Sequence, residues 1–157
     1  MVFRHLLQPR DICIDATAKS KTAVLLKISQ ILSDAHPELN MEALFDAYWK
    51  RESLGSTTIG HGVMIPHIRS EVIQTMCSCL LKLQHPVDFG ATDKQPVDIV
   101  LALVVPQHQI QEHLQILNQI TKQFSIPAFR AACRKATECS TLYSLLTEDN
   151  LAQTEIV

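Results

Sequence analysis

Glycine is scarce in this sequence, with four in 157 residues. Three of the four fall within one stretch, GSTTIGHGVMIPHIRS, which runs from Gly55 to Ser70 and carries no charge before Arg69. Because glycine adopts positive φ angles and permits close approach of the backbone, so small a supply excludes glycine-rich loops elsewhere in the chain. Any function that depends on glycine is therefore expected close to Pro66 and His67.

The sequence also lacks an excess of basic residues and a long apolar run. Lys and Arg number 14 against 16 Asp and Glu, and the net charge is -2, so no basic surface is expected for nucleic acid. No apolar run approaches the roughly 20 residues that span a bilayer. The N-terminal residues MVFRHLLQPRD carry charges and a proline where a signal peptide has its apolar centre. We therefore expect a cytoplasmic protein without a membrane insertion.

Cysteine occurs five times, without a CxxC motif, mostly within apolar stretches. An odd number in such surroundings favours reduced thiols in the core over a disulfide framework. Cys77 and Cys79 are separated by one residue, so in a strand both thiols would point to one face.

The period of the apolar residues predicts five helices and four strands. The helices are expected at 20–35, 40–54, 110–124, 128–135 and 138–146, and the strands at 11–15, 63–65, 75–83 and 99–105. The last of these strands, IVLALVV, is apolar throughout, which is typical of a strand buried on both faces. This order predicts a single α/β domain, over residues 1–149, with a mixed β-sheet flanked by helices on both faces. We expect a flexible tail at 150–157.

Two predicted helices carry clear start signals. Ser20 and Asn40 each precede an apolar stripe and are predicted N-caps. In the second helix, NMEALFDAYWKRESL, the apolar side is expected to comprise Leu44, Phe45, Tyr48 and Trp49.

His67 is the first candidate for chemistry. A neutral imidazole nitrogen can serve as a base, a metal ligand or a phosphoryl carrier near pH 7. Pro66 stiffens the chain before it, and residues 63–65 are expected to anchor it at a strand end. Gly60 and Gly62 would let upstream N–H groups turn towards a bound anion. The alternative is a surface loop that holds a histidine by chance, and the local features leave both open.

His113 and Arg51 are the next candidates. His113, Leu117, Ile120 and Phe124 lie on one helical stripe, so His113 points inward, either as a core residue or at the same sheet end as His67. Arg51 is the nearest cation before the glycine stretch, where it suits both a phosphoryl group and the helix dipole.

Metal ions and nucleotides fit the sequence less well than a phosphoryl group does. His61, His67 and His113 could in principle bind zinc, but no carboxylate lies near the close pair, and no metal site is predicted. The stretch lacks the Gly-Lys-Ser/Thr of a nucleotide loop and does not satisfy GxGxxG, so no ATP, NAD or other cofactor is expected.

Three segments together resemble a known family. RESLGSTTIGHGVMIPH, PVDIVLALVVP and EHLQILNQITKQF occur in the order and spacing of the enzyme IIA domains of the fructose, mannitol and nitrogen-related branch of the bacterial phosphotransferase system. The chain looks most like the nitrogen-type members, and the resemblance extends roughly from residue 12 to residue 146.

The resemblance implies roles for particular residues. His67 matches the histidine that receives the phosphoryl group, and His113 matches the second active-site histidine. Arg51, Ser56 and Thr57 match the arginine, serine and threonine of the GST motif region. One ring nitrogen of His67 is then expected to attack the donor's phosphohistidine, while the other donates to a backbone carbonyl or a similar acceptor. Transfer between two histidines needs no metal, because two similar P–N bonds are exchanged.

The resemblance also implies partners. The donor would be a small histidine-phosphorylated carrier protein of the HPr or NPr type, and the targets of a regulatory, nitrogen-type protein would be transporters or signalling proteins. Two alternatives stay open: a sugar-specific IIA that passes the phosphoryl group to a IIB domain, and a non-catalytic binding module on the same fold.

The chain departs from the family pattern at two places. His61 stands where the family commonly has asparagine, and Ile68-Arg69 stands where it has a small residue followed by lysine. Ile68 is expected to disfavour a positive φ angle beside the nucleophile and to add apolar bulk to the surface on which the donor docks.

Overall fold

The fold is built around one mixed, six-stranded sheet, seen in a computed structural model that describes residues 2–147. In chain order the elements are β1 (Ile12–Ala16), α1 (Lys21–Ala35), α2 (Met41–Leu54), β2 (Thr58–Gly60), β3 (Val63–Met64), β4 (His67–Ser70), β5 (Cys77–Val87), β6 (Val97–Pro106), α3 (Ile110–Phe124), α4 (Pro127–Lys135) and α5 (Cys139–Thr147). Two short 3-10 turns, Val2–His5 and Pro9–Asp11, precede β1. The tail predicted at 150–157 lies outside the described residues.

Strand β6 is the centre of the sheet. It pairs antiparallel with β5 on one side, and on the other side it pairs parallel first with β3 and then with β4. Strand β1 extends the sheet beyond β5 in parallel, and β2 extends it beyond β3 as an antiparallel hairpin. The mixed sheet predicted from the sequence is therefore confirmed.

Each face of the sheet has its own hydrophobic core. One face packs against α1 and α2, and the other packs against α3, α4, α5 and the N-terminal turns. Successive residues of β6 alternate between the two cores: Val100 and Ala102 face α1 and α2, whereas Leu101 and Leu103 face α3 to α5. This alternation explains the uninterrupted apolar run of β6, because both of its faces are buried.

The predicted helix starts are confirmed by their hydrogen bonds. The Ser20 hydroxyl accepts from the Ala23 N–H at 3.1 Å, and the Asn40 side chain accepts from the Ala43 N–H at 2.9 Å. The apolar side predicted for α2 is wrong in one respect. Leu44 and Tyr48 are buried, but Trp49 is 44% exposed and stacks on Phe45 at the outer edge of the helix. The helix contacts the sheet through a narrower stripe than its composition suggests.

The cysteines are free thiols, and three of the five are buried. Cys77 and Cys79 face the same core, as the alternation predicted. Within residues 2–147, no helix combines the length and the apolar character needed to cross a membrane.

Candidate active site

A pocket of about 500 Å³ opens where β4 and β6 end, between α2 and α3. Its polar lining includes His67 and Arg69 from β4, Lys50 and Arg51 from α2, and His113 from α3. Apolar side chains complete the wall, namely Ala47, Leu54, Ile68, Val105, Leu114 and Leu117. The fold therefore brings three residues predicted as catalytic, His67, His113 and Arg51, to one cavity.

His67 is held at a defined orientation. It is the first residue of β4, opposite Leu103 of β6, and the Leu103 N–H donates to the Pro66 carbonyl at 2.9 Å. The Nδ1 atom of His67 lies 2.8 Å from the Ile65 carbonyl oxygen. A carbonyl oxygen can only accept, so Nδ1 carries the proton and the lone pair of the neutral ring is on Nε2. The predicted hydrogen bond to a backbone carbonyl is thereby confirmed.

The strand beneath His67 is fixed from the side of α2. The buried hydroxyl of Tyr48 donates to the Leu103 carbonyl at 2.7 Å. Since Leu103 is the partner of His67 in the β4–β6 register, this bond joins α2, which carries Arg51, to the strand that supports His67. The position of His67 relative to Arg51 thus depends on the buried hydrogen bond between Tyr48 and Leu103.

His113 lies in the first turn of α3 with only 6% of its surface exposed. Its Nδ1 atom is buried and has no hydrogen-bond partner among the described residues. Burial lowers the pKa of His113 below its usual 6.5, and the nearby charges of Arg69 and His108 lower it further, while Glu112 opposes them. His113 is therefore a neutral imidazole at pH 7, with a polar atom that lacks a protein partner.

Cations surround the two histidines. Arg51, in the last turn of α2, donates from Nη1 to the Gly55 carbonyl at 2.8 Å, which ends the helix and leaves further guanidinium donors for a ligand. The Lys50 ammonium is engaged by Asp46 at 2.9 Å. Arg69 was not predicted as a site residue, although residues two apart on a strand share a face, which places Arg69 on the side of His67.

Ser56 and Thr57 stand outside the pocket lining. The buried hydroxyl of Thr57 donates to the Glu52 carboxylate, and the Ser56 hydroxyl pairs with that of Thr58 at 2.9 Å. Thr57 therefore binds the end of α2 through Glu52, whereas Ser56 binds the first residue of β2. Their contact with a phosphoryl group stays a prediction.

The structure corrects the role predicted for Gly60 and Gly62. Val63 pairs with Ile99, and His67 pairs with Leu103, four residues further along β6, or about 13 Å at strand spacing. Both glycines have positive φ angles, 92° and 78°, in the turn between β2 and β3. They lie at the opposite end of β6 from the pocket, so their conformational freedom serves the hairpin turn rather than a phosphate cradle.

His61 belongs to the same turn. Its φ angle is 58°, its N–H donates to Asp93 at 2.8 Å, and its carbonyl accepts from the Arg134 guanidinium. The side chain is exposed and does not line the pocket. The zinc alternative built on His61, His67 and His113 therefore has no common site, and the asparagine usual here in the family suits the same left-handed backbone.

Ile68 contributes mainly to the core. It is only 9% exposed, pairs with Val104 of β6, belongs to the core under α1 and α2, and has no positive φ angle. The apolar bulk expected on the docking surface is therefore mostly directed into the core, and only part of it reaches the pocket wall.

Comparison with known proteins points to one family. The model of the EIIA 2 family of the phosphoenolpyruvate-dependent sugar phosphotransferase system matches residues 5–149. The chain is 34% identical over 144 residues to a nitrogen regulatory protein of Pseudomonas aeruginosa, covering 92% of this chain and 94% of the relative.

Solved structures agree in fold. The crystal structure of the nitrogen regulatory protein IIA-Ntr from Neisseria meningitidis superposes with a TM-score of 0.87 at 27% identity, over 94% of this chain and all of the other. The IIA mannitol structure from Escherichia coli gives a TM-score of 0.75 at 18% identity, over 89% of this chain and 98% of the other.

Proposed function

Since the chain belongs to the EIIA 2 family of the phosphoenolpyruvate-dependent sugar phosphotransferase system, we propose that it is a phosphocarrier that accepts a phosphoryl group on His67. The observation that supports this most is the pairing of two histidines in one pocket, with Nδ1 of His67 bonded to the Ile65 carbonyl. That bond leaves Nε2 as the nucleophile and holds the ring in one orientation.

The transfer exchanges one P–N bond for another. The lone pair of His67 Nε2 attacks phosphorus in line, and the bond to the donor's imidazole nitrogen breaks with its electron pair returning to that ring. The His67 ring gains positive character as the new bond forms, and the Ile65 carbonyl stabilises it by accepting from Nδ1–H. The two P–N bonds are alike, so catalysis consists of positioning and charge stabilisation.

His113 and the pocket cations supply that stabilisation. A neutral His113 can donate a hydrogen bond to a phosphoryl oxygen, and its Nδ1 has no hydrogen-bond partner among the described residues. Arg51 and Arg69 bring positive charge to the same pocket. Positive charge from α2 and from β4 can thus meet the oxygens of the transferred group.

We assign the donor to the class of small histidine-phosphorylated carrier proteins of the HPr or NPr type. The regulatory, nitrogen-type role is supported by the resemblance to nitrogen regulatory proteins along 92% of the chain. A phosphoryl group on His67 adds about two negative charges at pH 7 to a pocket rimmed by exposed Leu54 and Leu114. Such a change would alter contacts with transporters or signalling proteins in the cytoplasm.

Phosphorylation by a reconstituted carrier chain tests the proposal. The wild-type protein, His67→Ala, His113→Ala and the control His85→Ala, whose histidine is exposed on β5, are incubated with phosphoenolpyruvate and the carrier proteins. We expect acid-labile, alkali-stable phosphate on wild type and on His85→Ala, and none on His67→Ala. His113→Ala should fold and be labelled roughly 100-fold more slowly. If wild type stays unlabelled beside a labelled control IIA, the chain is a binding module and the proposal fails.

A second measurement separates regulation from sugar transport. The phosphorylated protein is mixed with IIB domains of fructose and mannitol systems, and the lifetime of the label is followed. A regulatory protein retains its phosphate, whereas rapid, sugar-dependent loss of the label would assign the chain to the sugar-specific branch.

A further inference from the structure

A second cluster of potential ligands lies on the α1–α2 side of the sheet. His36 caps the C-terminal end of α1, Glu38 follows in the loop to α2, and Cys77 begins β5. One ligand atom from each residue lies within 4.8 Å of the other two, and His36 Nδ1 is 4.0 Å from Glu38 Oε1. None of the three residues lines the pocket that contains His67.

The fold holds two of these ligands in place through the backbone. The His36 N–H donates to the Leu32 carbonyl at 3.0 Å, and the His36 carbonyl accepts from the Leu39 N–H at 2.9 Å. Cys77 is fixed in the sheet opposite Val104 and is 4% exposed. Only Glu38 is exposed, so it is the ligand with freedom to adjust.

The donor set suits zinc. Imidazole nitrogen, carboxylate oxygen and thiolate sulfur bind Zn²⁺ at about 2.0 to 2.3 Å, which places tetrahedral ligand atoms roughly 3.5 Å apart. Closing the observed cluster to that geometry takes a movement of about 1 Å, within reach of the exposed Glu38 side chain. Three protein ligands would leave a fourth position for water.

Asp11 is a buried carboxylate on the same side of the sheet, and one of its oxygens lacks a hydrogen-bond donor among the described residues. This carboxylate is 4% exposed, and its Oδ1 has no partner among the described residues, while Oδ2 accepts from the Gln8 N–H at 2.9 Å. Burial raises the pKa of Asp11, while the hydrogen bond from the Gln8 N–H and the charges of Arg10 and His36 lower it. A buried carboxylate oxygen without a donor is costly unless a positive charge compensates it.

The charges around Cys77 have the sign that favours a cation. Burial, together with the carboxylates of Glu38 and Asp11, raises the pKa of its thiol to about 11. His36 and the buried Tyr48 hydroxyl are the other titratable groups on that side. A metal ion must therefore displace the thiol proton, which passes to bulk water as the metal–sulfur bond forms.

We infer that His36, Glu38 and Cys77 form a binding site for a divalent transition metal of the zinc class. Bound metal would fasten the α1–α2 loop to the start of β5. This site is separate from the phosphoryl site, and neither depends on the other.

Cobalt titration tests the site, because a thiolate bound to Co²⁺ gives a near-ultraviolet charge-transfer band that histidine ligands alone do not give. We expect the band in the wild-type protein at one metal per chain, its loss when Zn²⁺ is added, and a rise in Tm with zinc. Cys77→Ser should abolish the band. Cys139→Ser, which removes a half-buried thiol on α5, serves as the matched control and should retain it.

Two further variants avoid the core. His36→Gln and Glu38→Gln replace side chains at the surface end of the cluster, and each should weaken cobalt affinity at least about 10-fold. The control His85→Gln should leave it unchanged. Absence of the band from wild type would overturn the inference, as would a band that persists in Cys77→Ser or an affinity that neither His36→Gln nor Glu38→Gln reduces.

Discussion

The two histidines of the pocket differ in how their ring nitrogens are satisfied. His67 has Nδ1 bonded to a backbone carbonyl and is partly exposed, so its other ring nitrogen is free for the proposed attack on phosphorus. His113 is almost fully buried and has an unpaired Nδ1. The sequence identifies both residues as candidates, and their different burial fits the two roles proposed for them, nucleophile and supporting group.

The depressed pKa of His113 predicts a pH dependence of stability. As the pH falls through 6.5, His113 takes up a proton in the unfolded chain, whereas folding keeps it neutral until a lower pH is reached. The unfolded state then binds more protons, so the stability of the wild-type protein decreases as the pH falls below about 6.5.

Urea unfolding between pH 7.5 and pH 5 measures this effect. Because glutamine does not titrate, His113→Gln should lose less stability than wild type on acidification. Parallel pH profiles for the two proteins would show that His113 has an ordinary pKa in the folded state.

At the scale of elements, the ends of strands and helices decide what reaches the pocket. Helix α2 ends where Arg51 donates to the Gly55 carbonyl, and Arg51 lines the same pocket as His67. The β2–β3 turn packs instead on an ion pair, in which the Arg134 guanidinium holds Asp98 at 2.9 Å. The stretch from Gly55 to Ser70 thus forms the β2–β3 turn at one end of the sheet and contributes His67 and Arg69 to the pocket at the other end.

Alanine substitutions in two turns test this assignment. Gly62 and Gly90 both have positive φ angles, 78° and 72°. A Cβ at Gly62 would lie 2.8 Å from Arg134 Nη2 and 3.0 Å from Asp98 Oδ1, whereas a Cβ at Gly90 meets nothing within 4 Å. We expect Gly90→Ala to lower the free energy of unfolding by about 1 kcal/mol, and Gly62→Ala to lower it by about 1–2 kcal/mol more.

The rate of phosphoryl transfer per folded molecule should be unchanged in both variants, as measured by labelling alongside chemical denaturation. Loss of transfer in a folded Gly62→Ala protein would return this glycine to the phosphoryl site.

At the scale of the whole molecule, β6 couples the two cores. Its side chains alternate between the α1–α2 layer and the α3–α5 layer, and the pocket forms where both layers reach the same end of the sheet. Arg51 comes from one layer and His113 from the other. The site therefore exists only when both layers are packed on the strand.

This coupling predicts cooperative unfolding. Leu101 is fully buried among α3–α5, while the single tryptophan, Trp49, lies on α2 at the opposite face. Leu101→Ala should lower the free energy of unfolding by about 2–5 kcal/mol, and the denaturation curve from Trp49 fluorescence should shift as far as the curve from circular dichroism. The control Leu54→Ala, at a residue 86% exposed, should shift neither. A fluorescence transition that ignores Leu101→Ala would mean that the two layers unfold separately.

The sequence by itself determined the helices, the buried strand and the choice of His67, His113 and Arg51 as candidates. Helix caps and apolar periods depend on neighbours within a few positions, and the family resemblance depends only on the order of residue types. These features are therefore visible without coordinates. Only the tertiary structure decided that Arg69 reaches the pocket, that Gly60 and Gly62 do not, and that His36, Glu38 and Cys77 meet. Those facts depend on strand register and on the packing of layers, which bring together residues that are distant along the chain and that no local pattern relates.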